Sequence, residues 1–180
     1  MLNTANEASF FENCLVETGL VDGRFQRITL AEVRASAERQ TALKRALRDI
    51  QTGADAVLAR GKPAEDTLGL SLQEWEYRWS AWVASRKAAF YSRAALFLLG
   101  EAEFLPFFLN TLKTSHNIVF ICAASDLLQH ASGYILNGPE EDLPAARLAD
   151  WWEQNFALGK VTLQPAARMQ TGASSYYAGH

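Results

Sequence analysis

Cysteine is scarce in this sequence, which has only Cys14 and Cys122 among its 180 residues. Two cysteines so far apart do not form the disulfide framework of a small secreted protein. The segment that follows Met1 also lacks the charged stretch and apolar stretch of a secretory signal. Both absences predict a protein of the reducing cytoplasm.

Long hydrophobic runs are missing as well. The most apolar stretch, residues 88–112, is interrupted by Arg93, Glu101, Glu103 and Pro106. A helix that crosses a bilayer needs about 18 or more nearly uninterrupted apolar residues. We therefore expect this stretch to be part of a protein core, and we expect no membrane association.

The chain has no surplus of one charge sign, because its formal net charge is −3 with 21% charged residues. Proteins that bind nucleic acids usually carry a basic surplus or stripe. One local group, Arg86, Lys87 and Arg93 near Trp82, could bind phosphate beside a stacking ring. Acidic residues earlier in the same predicted helix balance these cations, so the charge pattern argues against a nucleic-acid partner.

Recognisable catalytic and metal-binding motifs are also missing. The sequence contains no Cys-x-x-Cys, His-Glu-x-x-His or Glu-x-x-His motif. It has neither a glycine-rich phosphate loop nor a Gly-x-Ser-x-Gly nucleophile turn. We expect no metal and no cofactor, and no motif identifies an enzyme class.

Helical patterns, by contrast, cover most of the chain. Capping boxes at residues 29–32 (Thr-Leu-Ala-Glu) and 71–74 (Ser-Leu-Gln-Glu) predict the starts of two helices. A chain of 180 residues is the length of one ordinary domain. Periodicity, together with Gly and Pro stop signals, predicts about six helices. They cover about 5–17, 30–57, 72–99, a short segment around Pro106, 117–136, and a last helix from Pro144 to near Gly159.

Residues 117–123 allow one alternative to helix, because the segment Ile-Val-Phe-Ile at 118–121 also suits a buried strand. Helix is favoured, since no second segment of similar quality is available to pair with such a strand. The predicted fold is all-α, a single-domain helical bundle over residues 1–159. An irregular C-terminal tail is expected over residues 160–180.

Aromatic residues stand out in the third predicted helix. Trp75, Trp79 and Trp82 are spaced at i, i+4 and i+7, which places their rings on one helix face. Such rings can pack in the core, bind a partner protein or line a hydrophobic ligand pocket. Trp151 and Trp152 point about 100° apart on a helix, so one of them is expected to cover a second surface.

A polar stripe in the fifth predicted helix suggests an alternative chemistry. Cys122, Asp126, His130 and Tyr134 follow at four-residue steps, and Asp126 could orient the His130 imidazole. Cys122 and His130 would be about 12 Å apart along the helix, which is too far for a nucleophile–base pair. The structural interpretation is a solvent-facing stripe or an Asp–His pair without catalytic function.

These patterns favour a non-enzymatic interaction module, such as a small helical subunit, adaptor or inhibitor. It would bind another protein, or a second copy of itself, through an aromatic face. The competing hypothesis is an enzyme or ligand-binding protein with an apolar pocket between helices. In that protein, Asp126 and His130 form an acid–base pair, and Tyr134 or Tyr91 orients the substrate. The predicted contact residues are Trp75, Trp79, Trp82, Trp152, Tyr176 and Tyr177.

Overall fold

The computed structural model describes residues 4–20, 28–64 and 69–164, with side chains described from position 10 onward. All regular structure in these ranges is helical and no strand occurs in them, which confirms the predicted all-α class. Seven α-helices and one short 3-10 turn at Ala102–Phe104 make up this part of the chain. The helices are α1 (Thr4–Glu17), α2 (Leu30–Ala35), α3 (Ala37–Leu58), α4 (Leu72–Leu98), α5 (Leu105–Thr114), α6 (Ile118–Ser132) and α7 (Ala145–Ala157).

The long helix predicted over residues 30–57 is divided in two at Ser36. The predicted capping box is present, because the Thr29 hydroxyl accepts from the Glu32 amide and the Glu32 carboxylate accepts from the Thr29 amide. Ser36 has an extended backbone (φ −129°, ψ 109°), and its hydroxyl accepts from the Arg39 amide. A serine that caps a new helix in this way ends the preceding one, so α2 and α3 are separate elements.

The segment for which a strand was the alternative is helix α6. The Asn117 side chain accepts from the Val119 amide at 3.0 Å and thereby caps the first turn of this helix. The predicted end at residue 136 is wrong, because α6 ends at Ser132. Gly133 follows in the left-handed region (φ 68°), and its amide donates to the Gln129 carbonyl. Tyr134 therefore does not lie on the helix.

The second half of α4 forms the centre of the core. Every buried residue of α4 lies between Ala89 and Leu98, where the helix contacts α1, α3 and α6. The Phe90 ring stacks on Phe120 of α6 at 4.8 Å and meets Phe108 of α5 edge-on at 5.7 Å. Trp152 of α7 is fully buried on the side of the domain where α7 packs against α5.

The first half of α4 lies outside this core. No residue between Leu72 and Ala88 is buried, and the principal contact of α4 is with the antiparallel helix α3. The second half of α3 contributes only Ala54 to the buried residues. We refer to residues 57–64 and 69–82 as the hairpin end, because they include the end of α3 and the beginning of α4.

The predicted tail begins in contact with the domain. Val161 is 5% exposed, and the Gln164 amide donates to the Ala131 carbonyl of α6 at 2.8 Å. Residues 160–164 form neither helix nor strand, and they pack against the domain. The remainder of the predicted tail, 165–180, lies outside the described residues.

Gly53 offers a test of the α3 helix. It lies in the interior of α3, is exposed, and a Cβ added there meets no atom within 4 Å. Alanine costs less backbone entropy than glycine in a helix. We expect Gly53→Ala to raise the free energy of unfolding by about 0.5–1 kcal/mol in urea denaturation. An unchanged or lower unfolding free energy would contradict a continuous helix at this position.

Gly133 provides the matched opposite case. Its φ of 68° is unfavourable for a residue with a Cβ, and an added Cβ would overlap the Gln164 side chain. We expect Gly133→Ala to lower the unfolding free energy by about 1–2 kcal/mol or more, again measured in urea. A neutral result would show that α6 does not end in this left-handed conformation.

Candidate interaction surface

The three tryptophans of the first half of α4 form a column of rings in mutual contact. The ring centroids of Trp75 and Trp79 are 5.5 Å apart with an interplanar angle of 13°, and those of Trp79 and Trp82 are 5.5 Å apart at 35°. All three side chains are half-buried, and none belongs to the core. The predicted shared helix face is present, and it lies at the surface of the domain.

Neighbouring groups hold these rings in place. The Trp75 indole Nε1 donates a hydrogen bond of 2.7 Å to the carbonyl of Ala64, in the segment that follows α3. The Lys62 ammonium lies 5.2 Å from the Trp79 ring centroid, within the range of a cation–π contact. The indoles are therefore positioned before any partner binds.

A groove of about 1030 Å³ opens between the end of α3 and the beginning of α4. Trp75 and Trp82 contribute to it from the ring column, and Tyr77, which is 75% exposed, contributes from the same helix. The remaining wall combines apolar and small residues with charged residues. Those lining residues are Val57, Arg60, Gly61, Lys62, Pro63, Ala64, Leu70, Glu74, Arg78 and Ala81.

Arg86 connects the surface rings to the core. Its guanidinium carbon lies 4.9 Å from the Trp82 ring centroid and 5.5 Å from that of Phe120, which in turn stacks on Phe90. Consecutive contacts therefore lead from the hairpin end into the centre of the domain. We refer to Trp75, Trp79, Trp82, Arg86, Phe120 and Phe90 as the aromatic column.

The other cations of α4 are neutralised by carboxylates. Arg78 pairs with Glu74 at 2.6 Å, Lys87 with Glu17 at 3.4 Å and Arg93 with Asp55 at 2.6 Å. Arg86 makes no ion pair or hydrogen bond within the described part of the chain. Of the three cations predicted to bind phosphate, Lys87 and Arg93 are therefore paired with carboxylates, and Arg86 alone is not.

Trp152, one of the predicted contact residues, is not on this surface. Its side chain is 0% exposed and packs against Tyr134, Trp151 and Phe156. A side chain enclosed in the chain's own core cannot contact a partner, so Trp152 does not belong to the candidate surface. Its neighbour Trp151 is half-buried, so one ring of the adjacent pair lies in the core and the other is partly exposed to solvent. The other two predicted contacts, Tyr176 and Tyr177, lie outside the described residues.

The alternative acid–base residues are not assembled into a pocket. Asp126 and His130 are one turn apart on α6, and neither lines the groove. Protein packed on one side of the exposed Asp126 raises the pKa of its carboxyl, which the nearby His130 opposes. The Tyr134 hydroxyl donates to Glu140 at 3.0 Å, and this bond raises the pKa of Tyr134. Tyr134 lies beyond the end of α6 and its hydroxyl is hydrogen-bonded to Glu140, so the predicted polar stripe ends at His130.

The described residues contain no cluster of three or more His, Cys, Asp or Glu side chains with the spacing of a metal site. Within the same residues, no helix combines the length and apolar content that a bilayer-crossing segment requires. The chain matches no protein-family model, no curated protein and no solved structure at a significant level. The geometry of the candidate surface is therefore the only support for a role in binding.

Several residues of the surface, among them Arg86, Phe120 and Lys62, are not among the predicted contact residues. Arg86 follows Trp82 by four residues, so its position beside the Trp82 ring could have been inferred from helix periodicity. The contact of Phe120 with Arg86 joins residues 34 positions apart in the sequence, and no local pattern indicates it. Lys62, in the loop after α3, was likewise not identifiable before the antiparallel packing of α3 and α4 was known.

Paired substitutions distinguish the core indole from the surface indoles. We expect Trp152→Ala to lower the unfolding free energy by about 3–5 kcal/mol, because it removes a fully buried ring. Trp79→Ala removes a half-buried ring and should cost about 1 kcal/mol, close to the value of one aromatic contact. Urea denaturation of both variants provides the measurement. Equal losses would contradict the assignment of these two indoles to core and surface.

Proposed function

We propose that the protein is a non-enzymatic interaction module that binds another protein through the aromatic column and the adjoining groove. The observation that carries this proposal is the state of Trp75, Trp79 and Trp82. They are stacked in a row and half-exposed on a part of α4 that contributes nothing to the core. Tryptophan is the residue type most enriched among the residues that dominate binding energy at protein interfaces.

Pre-positioning supports the same proposal. An exposed tryptophan that moves freely loses rotamer entropy on binding, which reduces affinity. Here the hydrogen bond from Trp75 to Ala64 and the contact of Trp79 with Lys62 restrict the rings in the free protein. A surface arranged in this way suits a preformed contact better than a face that rearranges when a partner arrives.

The shape of the groove indicates what kind of partner it suits. At about 1030 Å³ it exceeds what one side chain fills, and its wall combines aromatic rings with a few charged groups. Grooves of this type between two helices accept a helical or extended segment of another protein. We therefore propose that the partner inserts one segment along α4, as expected for an adaptor, inhibitor or complex subunit.

The cysteines are compatible with a cytoplasmic location, which is part of this proposal. Cys14 is buried, Cys122 is exposed, and both are free thiols. Burial raises the pKa of the Cys14 thiol, so it stays protonated and unreactive. Neither thiol needs an oxidising compartment to complete the fold.

Site-specific photo-crosslinking in the native host tests the proposal. A photoreactive phenylalanine analogue replaces Tyr77, which lines the groove and is 75% exposed. The matched control position is Leu158, which follows α7, is 67% exposed and does not line the groove. We expect one dominant crosslinked protein from position 77 and none of that mass from position 158. The combined change Trp75→Ala and Trp82→Ala should remove most of that product.

Three results would contradict the proposal. The first is the absence of any crosslinked protein from position 77. The second is the same crosslinked protein from position 158, which would indicate nonspecific contact. The third is a product of twice 19.9 kDa that contains only this chain, which would make the surface a self-association site instead of a site for another protein.

A further inference from the structure

Arg86 occupies the position where the aromatic column passes from the surface into the core. Its guanidinium carbon is 4.9 Å from the Trp82 ring centroid and 5.5 Å from that of Phe120, and the side chain is half-buried. Stacking between two rings restricts the rotamers of a long, flexible side chain. Arg86 therefore loses less side-chain entropy on binding an anion than a freely moving arginine would.

Those donors have no acceptor within the described residues, in contrast to the rest of α4. The carboxylates of Glu74, Glu17 and Asp55 neutralise Arg78, Lys87 and Arg93. A guanidinium that is held between two rings, partly shielded from water and without an anion is a ready site for a planar carboxylate or a phosphate. Arg86 is the one cation of α4 in this situation.

The surroundings of Arg86 favour a single carboxylate over a nucleic-acid backbone. A phosphate backbone requires several available cations, whereas the adjacent Lys87 is already paired with Glu17. Val83, three residues before Arg86, neighbours it on the surface of α4 and is an exposed apolar side chain. A partner with apolar side chains beside one acidic side chain would match both features.

We propose that Arg86 binds an Asp or Glu side chain of the partner, so that the bound segment is apolar with one acidic residue. This inference rests on the proposed function and specifies the chemistry of the partner. The aromatic column would supply the apolar contact, and the Arg86 guanidinium would determine the register by a two-pronged hydrogen bond to the carboxylate.

Peptide selection on the full chain tests this inference directly. A random short-peptide display library is selected on the wild-type protein, on Arg86→Gln, on Trp79→Ala and on the matched control Lys87→Gln. We expect the wild type and Lys87→Gln to enrich apolar peptides with Asp or Glu at one position. Arg86→Gln should enrich apolar peptides without that acidic preference. Circular dichroism and urea denaturation verify that each variant is folded, and Arg86→Lys serves as a second variant that retains the charge.

The affinity of one selected peptide gives the magnitude. Replacing its acidic residue by the amide should weaken binding to the wild type by about tenfold or more. The same peptide change should have almost no effect on Arg86→Gln. Arg86→Lys should retain part of the acidic preference, because lysine keeps the charge without the planar fork.

The outcomes separate this inference from the proposed function. Wild-type peptides that depend on Trp79 but show no acidic preference would overturn the role of Arg86 and leave the interaction module standing. An acidic preference that persists in Arg86→Gln would do the same. No enrichment on any variant, or enrichment that Trp79→Ala does not reduce, would overturn both. Binding of a labelled single-stranded oligonucleotide that requires Arg86 and weakens steeply with salt would overturn the choice of a carboxylate partner.

Discussion

Ring stacking along one face of α4 is the interaction on which the rest of this surface depends. The helix has 27 residues and is about 40 Å long, and only its second half is enclosed by other helices. In its first half the indoles pack on one another and on the neighbouring cations Lys62 and Arg86. The contact of Arg86 with Phe120 then joins these rings to the core. The exposed aromatic face is thus supported by the same packing that stabilises the domain.

Charge pairing organises the helices around this column. Arg48 of α3 binds Glu101 at 2.7 Å, beyond the end of α4, and Lys113 of α5 binds Glu153 of α7 at 2.6 Å. In each pair at least one side chain is exposed, so each pair contributes little to stability. The pairs nevertheless connect segments that are distant in sequence. Arg86, which is half-buried between the Trp82 and Phe120 rings, makes no such pair within the described residues.

Much of the fold could be predicted because helix boundaries are local. The capping box at Thr29 and the hydroxyl cap at Ser71 form hydrogen bonds within one turn, so the sequence pattern alone indicates both helix starts. The reciprocal half of the box predicted at Ser71 is absent, because the Glu74 carboxylate pairs with Arg78. The break at Ser36 and the end of α6 at Gly133 were missed. In both cases the apolar periodicity continues past the boundary, and a local hydrogen bond or a left-handed residue ends the helix. The removal of Tyr134 from the polar stripe follows from the second error.

The sequence by itself determined that the chain is helical, and that Trp75, Trp79 and Trp82 share one helix face, because both follow from the repeat of the α-helix. Only the tertiary structure decided which indoles are enclosed. Trp152 is fully buried on a helix packed against α5, whereas the three tryptophans of α4 are half-buried and lie outside the core. The contacts of the α4 cations also depend on the tertiary structure, because their partners Asp55, Glu17 and Phe120 belong to other helices. Burial and charge neutralisation depend on what packs across a face, and that information is spread over distant parts of the chain.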